Sequence, residues 1–436
     1  MSTPEKNSRN WLILAHCFNM DGRAASQTIT DRIPFLLAQG ITPVVLSAPT
    51  GRRDERFPHY RVLSPAPSGL LFEIRQIIEA AWGRGVAARV LKLLLTLGCL
   101  PFYLVEKLLV NLDSHWSWFI AAFPRGYQLA ARYRPEIIYS TAGPSSTHLA
   151  ALLLKKVLGR PWVAEIHDPL VSEHEPPRYQ RTALARWLER AIFKNADAVI
   201  YFTRQALAGA EQRTGVEGVG HVLRPGAYPP SIDPQLTYQP TGVLHFGHFG
   251  SLARDRNLRG FMVALHNILM ERKELRGRVV LDVYGTELDS ISEATLRELG
   301  LDDVVKRHGR LEYDPDSGKS GRQRVIELMH TCDVLLLVHG ETQACLEYIP
   351  SKLYEYMLTR RPILGVVATN TELSEILDEN GYVAVSGTDP VALARHVAKL
   401  VAQWENQGLA DRQGDSPFTV ARTVTRLLEI VAKLVV

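Results

Sequence analysis

Seven residues separate Glu347 from Glu355, and Pro350-Ser351-Lys352 lies among them. Pro, Ser and Lys in that order read as the start of a helix. A helix N-terminus offers free N–H groups and the positive end of a dipole, so it favours a phosphate. Lys352 adds a full positive charge at the same place. Carboxylates accept hydrogen bonds from hydroxyls. Glu347 before the helix and Glu355 one turn inside it can hold two hydroxylated rings on either side of a diphosphate. The combination suits a sugar nucleotide.

Three further stretches carry candidate chemistry. Val243–Gly250 reads as a strand ending in glycine, and Ser251-Leu-Ala-Arg-Asp-Arg256 follows before the next helix. Gly250 lets a backbone approach a pyrophosphate, and Arg254 and Arg256 stand in the loop just beyond it. Pro161–Ile166 reads as a strand that delivers His167 and Asp168 at its carboxyl end, where catalytic groups collect in open parallel sheets. His167 reads as a catalytic group, or else as a structural cap or a core histidine. Asp168 either holds the histidine tautomer or meets an acceptor hydroxyl. Near the N-terminus a strand from Trp11 to Ala15 runs into a turn carrying Gly22 and Arg23. Gly22 allows close backbone approach to a ligand, and Arg23 is either a phosphate contact or a solvated charge.

These groups need a scaffold that presents strand ends. Trp11–Ala15, Thr42–Ser47, Pro135–Ser140, Pro161–Ile166 and Asp197–Phe202 alternate with helix-like runs. Val243–Gly250, Val279–Gly285, Val304–Leu311, Val334–Val338 and Pro362–Val367 repeat the alternation. The pattern predicts two parallel α/β sheets. A proline-rich stretch from His221 to Pro240 reads as the linker between them. The predicted organisation is an N-terminal Rossmann-like domain over residues 1–225, a linker over 226–240, a second Rossmann-like domain over 241–415, and a helix over 416–436.

The chain from Glu347 through Pro-Ser-Lys-Leu-Tyr-Glu355 to Arg361-Pro-Ile-Leu-Gly365 resembles the retaining glycosyltransferases of family 4. Residues 135–170 resemble that family's N-terminal domain; the likeness is partial over 15–30 and 247–257. It implies the GT-B fold, two doubly wound domains facing across a cleft, with the last helix crossing back to the first domain. It implies that Glu347 contacts the donor sugar, Glu355 the nucleotide ribose, and Ser351 with Lys352 the diphosphate, while His167 lines the cleft. The loop after the 304–311 strand would hold the base through backbone groups. The sequence departs from the family at two places. Ser251 stands where an arginine is usual, with Arg256 at the usual lysine position, and a single Gly22 replaces paired glycines. These departures keep open a non-catalytic scaffold that binds a nucleotide sugar or glycan; a nucleotide-sugar epimerase is disfavoured by the Glu-x7-Glu context.

Composition sets the outer bounds. With 436 residues, 46% hydrophobic and 22% charged, the chain has core enough for two domains. A net charge of +4 and a pI of about 8.8 suit anionic ligands or a membrane surface, and the excess is too small to indicate nucleic acid. Cys17, Cys99, Cys332 and Cys345 are scattered without a CxxC pair. No ligand cluster calls for a metal, and no cofactor is expected. The polar N-terminus is not a signal peptide, which points to the cytoplasm. Residues 70–112 are strongly apolar, and Leu93–Val105 carries no charge. Thirteen residues are too few to span a bilayer, and Pro101 predicts a break into two helices. Two readings stand: a buried pair of core helices, or an interfacial surface over 86–123 that peripherally touches the inner face of a membrane and a lipid-linked acceptor.

Overall fold

The computed structural model describes residues 9–20, 23–83, 85–110, 112–141, 144–171, 179–228 and 238–435. Gly22 and most of the expected linker lie outside the described residues. The chain divides into two compact units. One takes in the chain up to Pro225 together with the residues from Val420 onward; the other is Gly226–Thr419.

The first unit runs β1 (Arg9–Leu14), α1 (Ala24–Ala38), β2 (Ile41–Ser47), β3 (His59–Arg61), α2 (Pro67–Trp82), α3 (Val86–Val110) and α4 (Trp118–Tyr133). It continues through β4 (Ile137–Thr141), α5 (Ser145–Leu158), β5 (Trp162–Ile166), α6 (Tyr179–Asn195), β6 (Ala198–Tyr201), α7 (Arg204–Thr214) and β7 (Gly220–Val222). The seven strands lie in the order β3-β2-β1-β4-β5-β6-β7, all parallel. β4 and β5 are buried end to end and β1 from Asn10 onward, as a sheet covered on both faces requires. Leu12, Leu14 and Ile138 pack towards one helical layer, and Trp11, Ile13 and Tyr139 towards the other.

The second unit runs β8 (Leu244–Gly250), α8 (Arg259–Glu271), β9 (Val279–Gly285), α9 (Ser290–Leu299), β10 (Val305–Gly309) and α10 (Gly321–Thr331). Then come β11 (Val334–Val338), α11 (Lys352–Thr359), β12 (Ile363–Val366), α12 (Thr371–Glu379), β13 (Val383–Val385) and α13 (Pro390–Gln407). The order is β10-β9-β8-β11-β12-β13, again all parallel. A last helix, α14 (Val420–Ala432), buries Val424, Leu427 and Val431 in the first unit's core beside Ile29 and Ile33 of α1.

Two expectations need correction. Pro101 does not divide the apolar stretch: α3 is one helix of 25 residues with Pro101 inside it. Proline there removes one N–H and crowds the carbonyl four residues back, a local cost that the rest of a long helix outlasts. Nor is this a core helix, because most of its apolar side chains are exposed. The edge strand β3 pairs with Val45–Ser47 of β2.

Candidate functional site

Each sheet reverses its strand order once, between β1 and β4 in the first unit and between β8 and β11 in the second. Ligands of open parallel sheets bind at the carboxyl ends beside such a reversal, because the flanking loops diverge there.

In the second unit β8 ends at Gly250, whose φ of +146° disfavours a side chain. A Cβ on Gly285, at the end of the neighbouring β9, would sit 2.2 Å from the Gly250 carbonyl oxygen. The two strand ends touch through bare backbone, which leaves room above them. Beyond Gly250 the guanidinium of Arg256 turns back on Ser251: Nε donates to the Ser251 carbonyl at 3.0 Å and Nη2 to its Oγ at 3.0 Å. The serine that replaces the family's arginine therefore positions the arginine that remains.

The loop after β11 carries Glu347 at the end of a short 3-10 turn, Gln343–Glu347. Two buried side chains fix this loop. His339 Nε2 donates to the Cys345 carbonyl at 2.8 Å, and Asn370 Nδ2 donates to the carbonyls of Cys345 at 2.7 Å and Tyr348 at 2.9 Å. Asn370 Oδ1 also caps α12 by accepting from Leu373 N at 2.8 Å. The Glu347 backbone is thus tied to a helix start on the next strand connection. The loop after β8 is tied to it as well: Glu341 N donates to the Asp255 carbonyl at 3.1 Å, and Cys345 Sγ lies 3.7 Å from Asp255 Oδ2.

Ser351 precedes α11 without using its side chain as a cap. Lys352 Nζ lies 2.6 Å from Glu355 Oε2, and Arg322 Nε lies 3.5 Å from Glu355 Oε1. Glu355 thus sits between two cations. Tyr356 fixes the helix against the sheet: its Oη accepts from Phe249 N at 3.0 Å. Leu353, Tyr354 and Met357 fill the core around it. The Arg361 of the trailing motif is structural. Buried, it donates to the carbonyls of Cys332, Asp333 and Leu409 and pairs with Asp411. His248, one strand turn before Gly250, donates from Nδ1 to the Leu336 carbonyl; burial pushes it down to about 4, so it is neutral.

In the first unit His167 leaves β5 half-buried, with Nε2 2.9 Å from Glu165 Oε1 and 3.0 Å from Thr141 Oγ1. Its partner is Glu165, not Asp168, which is exposed. Residues two apart on a strand face the same way, so β5 itself places Glu165 under His167. Arg32 Nη1, buried on α1, binds Glu165 Oε2 and the Tyr139 hydroxyl. Burial opposes ionisation of Glu165, but the Arg32 charge and the His167 hydrogen bond outweigh it and hold the carboxyl well below the usual range. Thr141 ends β4, so this network lies on the reversal. His16, just past β1, lies there too: Nε2 is 3.1 Å from Glu73 Oε1, and Glu73 also accepts from Ser64 N and Oγ. Burial lowers the His16 pKa, but the Cys17 and Glu73 contacts outweigh it and raise it to about 9.

Glu165, Arg32, Glu73 and Asn370 were not singled out in the sequence. The signal for Glu165 was present, since a carboxylate inside Trp-Val-Ala-Glu-Ile must be paired. Its partner Arg32 lies too far off along the chain to be found by spacing. Among the described residues no group of three or more His, Cys, Asp or Glu side chains gathers as a metal site.

Comparison with known proteins agrees with this geometry. Residues 38–226 match the glycosyl transferase 4-like domain. A probable glycosyltransferase of Pseudomonas aeruginosa, WbjE, is 25% identical over 297 residues, 64% of this chain and 70% of that protein. Among solved structures, HepE of Anabaena, solved with UDP, aligns over 98% of this chain and 99% of its own at 14% identity, with a TM-score of 0.59. The UDP-forming trehalose-phosphate synthase of Burkholderia vietnamiensis aligns over 98% and 99% at 16% identity, with a TM-score of 0.58. Residues 38–226 thus carry a glycosyl transferase 4-like domain, and the chain has the GT-B fold of these solved structures.

Proposed function

We propose that the chain is a retaining glycosyltransferase that moves a sugar from a nucleotide-sugar donor to a glycan or lipid-linked acceptor in polysaccharide or glycoconjugate synthesis. It works in the cytoplasm, at the inner face of a membrane, without a metal. The observation that carries this reading is the β8/β11 reversal. It presents a bare glycine strand end, Arg256 and Lys352 as cations, the open helix start at Ser351, and carboxylates on both sides of that start. Glu347 orients the donor sugar and Glu355 the ribose.

In the transfer, the bond between the anomeric carbon and the diphosphate oxygen breaks, and its electron pair stays on the diphosphate. The acceptor hydroxyl oxygen bonds to the anomeric carbon, and its proton passes to the departing nucleoside diphosphate. Negative charge grows on the diphosphate through this step. Arg256, Lys352 and the α11 N-terminus stabilise it, which is the work a divalent cation does elsewhere. His167, oriented by Glu165 and Thr141, and the exposed Asp168 serve the acceptor in the first unit. No enzyme nucleophile is assigned.

The test is binding and turnover with a panel of UDP-, GDP- and ADP-sugars, beginning with UDP-glucose, which is bound in one HepE structure. Slow hydrolysis or transfer with retained anomeric configuration is expected for one donor, with chelator present. Inverted configuration, or no binding by any donor, would overturn the assignment. Binding without turnover across an acceptor panel would leave the non-catalytic scaffold in its place.

A further inference from the structure

Helices α2 and α3 form an antiparallel hairpin. Lys92 Nζ pairs with Glu79 Oε2 at 2.7 Å, Arg75 Nη2 donates to Thr96 Oγ1 at 2.7 Å, and Glu106 accepts from Ser68 N at 2.8 Å at the open end. The turn is at Gly83, with φ of +67°. The foot is fixed in the first unit, where Trp116 Nε1 also donates to Glu106 at 2.7 Å.

The polarity of α3 is inverted. Its inward side carries Ala88, Lys92, Thr96, Cys99, Tyr103 and Glu106, so most of its polar groups are spent on α2 and the foot. Its outward side carries Val90, Leu94, Leu97, Val105, Leu108 and Leu109, with Leu108 82% and Leu94 60% exposed. At one residue per 100° the outward sector covers roughly 240° of the circumference along about 37 Å. Arg89, at the sector's edge, is its one exposed charge among the described residues.

We propose that this hairpin lies in the plane of a lipid bilayer, with α3 sunk into one leaflet and α2 above it. Three observations select lipid over a second protein. A partner helix covers a stripe of about 100°, less than half of this sector. The polar seam between the helices faces away from the apolar side and is already paired, so it strands no charge in hydrocarbon, and Arg89 lies at the sector's edge, where its long side chain reaches the headgroups. Positive charge stands beside α2: Arg23 lies over the Phe72 ring, and exposed Arg52 and Arg53 are on the loop tied to Asn19, four residues before Arg23, by a 3.2 Å hydrogen bond to the Arg52 carbonyl. Glu55 is the exposed acid beside them. That charge complements anionic headgroups. Trp82 at the tip and Trp116 at the foot stand at the two ends of the hairpin, where in-plane helices keep interfacial aromatics.

The hairpin root is Glu73, which binds His16 beside the β1/β4 reversal. Resting on the transferase reading, this leads a lipid-borne acceptor to the acceptor side of the first sheet.

The test needs no donor or acceptor. The full chain is mixed with phosphatidylethanolamine–phosphatidylglycerol vesicles and floated at low and high salt, beside a Leu94→Glu/Leu97→Glu variant. Both positions are exposed, so the variant keeps its circular dichroism and melting temperature. Flotation that survives high salt and falls about tenfold or more in the variant is the expected result. Brominated lipid should quench Trp82, read as the difference from a Trp82→Phe protein. Failure to float, flotation abolished by salt alone, flotation equal in the variant, or an unquenched Trp82 would each overturn the proposal. So would a soluble dimer that the variant turns into a monomer, which would assign the face to a second copy.

Discussion

At the β1/β4 reversal the charged groups are buried and bound to one another; at the β8/β11 reversal they lie nearer the surface and are bound to groups a ligand can replace. Arg32, Glu165, His16 and Glu73 are all buried, and each meets its partner inside the protein. Arg256 instead rests on Ser251, and Lys352 rests on Glu355, both partly exposed. The sheets share one plan and differ in what their loops hold. A fixed ion pair cannot neutralise incoming phosphate, but it can hold a histidine in one orientation. A loosely held cation can turn to a phosphate at little cost. On the proposed function, the first reversal orients and the second receives charge.

The largest effect should come from removing the carboxylate assigned to the sugar. Glu347→Gln keeps the shape of the side chain and the His339 and Asn370 clamps on its loop. Turnover is expected to fall about a thousandfold or more while nucleotide affinity changes little, because the lost contact acts on the transition state. Steady-state rates beside calorimetric titration of the nucleotide separate the two. A variant with normal turnover would remove Glu347 from the mechanism.

Arg32→Met strips Glu165 of its buried partner. Urea unfolding should show a loss of about 3–5 kcal/mol, much of it regained in the Arg32→Met/Glu165→Leu double variant. The pH sign follows from the depressed Glu165 pKa. The pair's stabilisation is full above the unfolded value of 4.5 and fades as pH falls below it. An equal loss in the double variant would make this a cavity effect rather than an ionic one.

His16 has the opposite sign. Its pKa rises from 6.5 to about 9 on folding, so its contribution is complete below pH 6.5 and disappears as pH rises through about 9. The shift corresponds to about 3 kcal/mol at most. Unfolding free energies from pH 6 to 10, read as the difference from a Glu73→Gln protein, should show that decline; parallel curves would mean that His16 is neutral throughout.

What was legible in the sequence follows the same division. The β8/β11 cluster is local: Glu347, Ser351, Lys352 and Glu355 belong to one loop and one helix, so their nearness is written in the spacing, while the roles proposed for them rest on the family resemblance. The β1/β4 network is not. Arg32 and Glu165 come from α1 and β5, and only the sheet order makes them neighbours. Of the two roles open to Asp168, holding the histidine falls to Glu165, because alternation along a strand, not adjacency in sequence, decides the side. The hairpin escaped for another reason. Its apolar residues suit a core or a bilayer equally, and only the placement of Lys92, Thr96 and Glu106 on the inner face separates the two.

The smallest effect tests the loose cations. Lys352→Met should lower kcat/KM about tenfold rather than a thousandfold, since Arg256 and the α11 N-terminus share the diphosphate charge. Loss of Lys352 also leaves Glu355 to Arg322, 3.5 Å away, which keeps the carboxylate paired and the helix folded. If the cations act on one charge, Arg256→Met added to Lys352→Met should cost more than the sum of the single losses in free energy, because each covers for the other. If Arg256 stays on Ser251 throughout, its removal should be silent in both backgrounds, and the contrast between the two reversals would then rest on Lys352 alone.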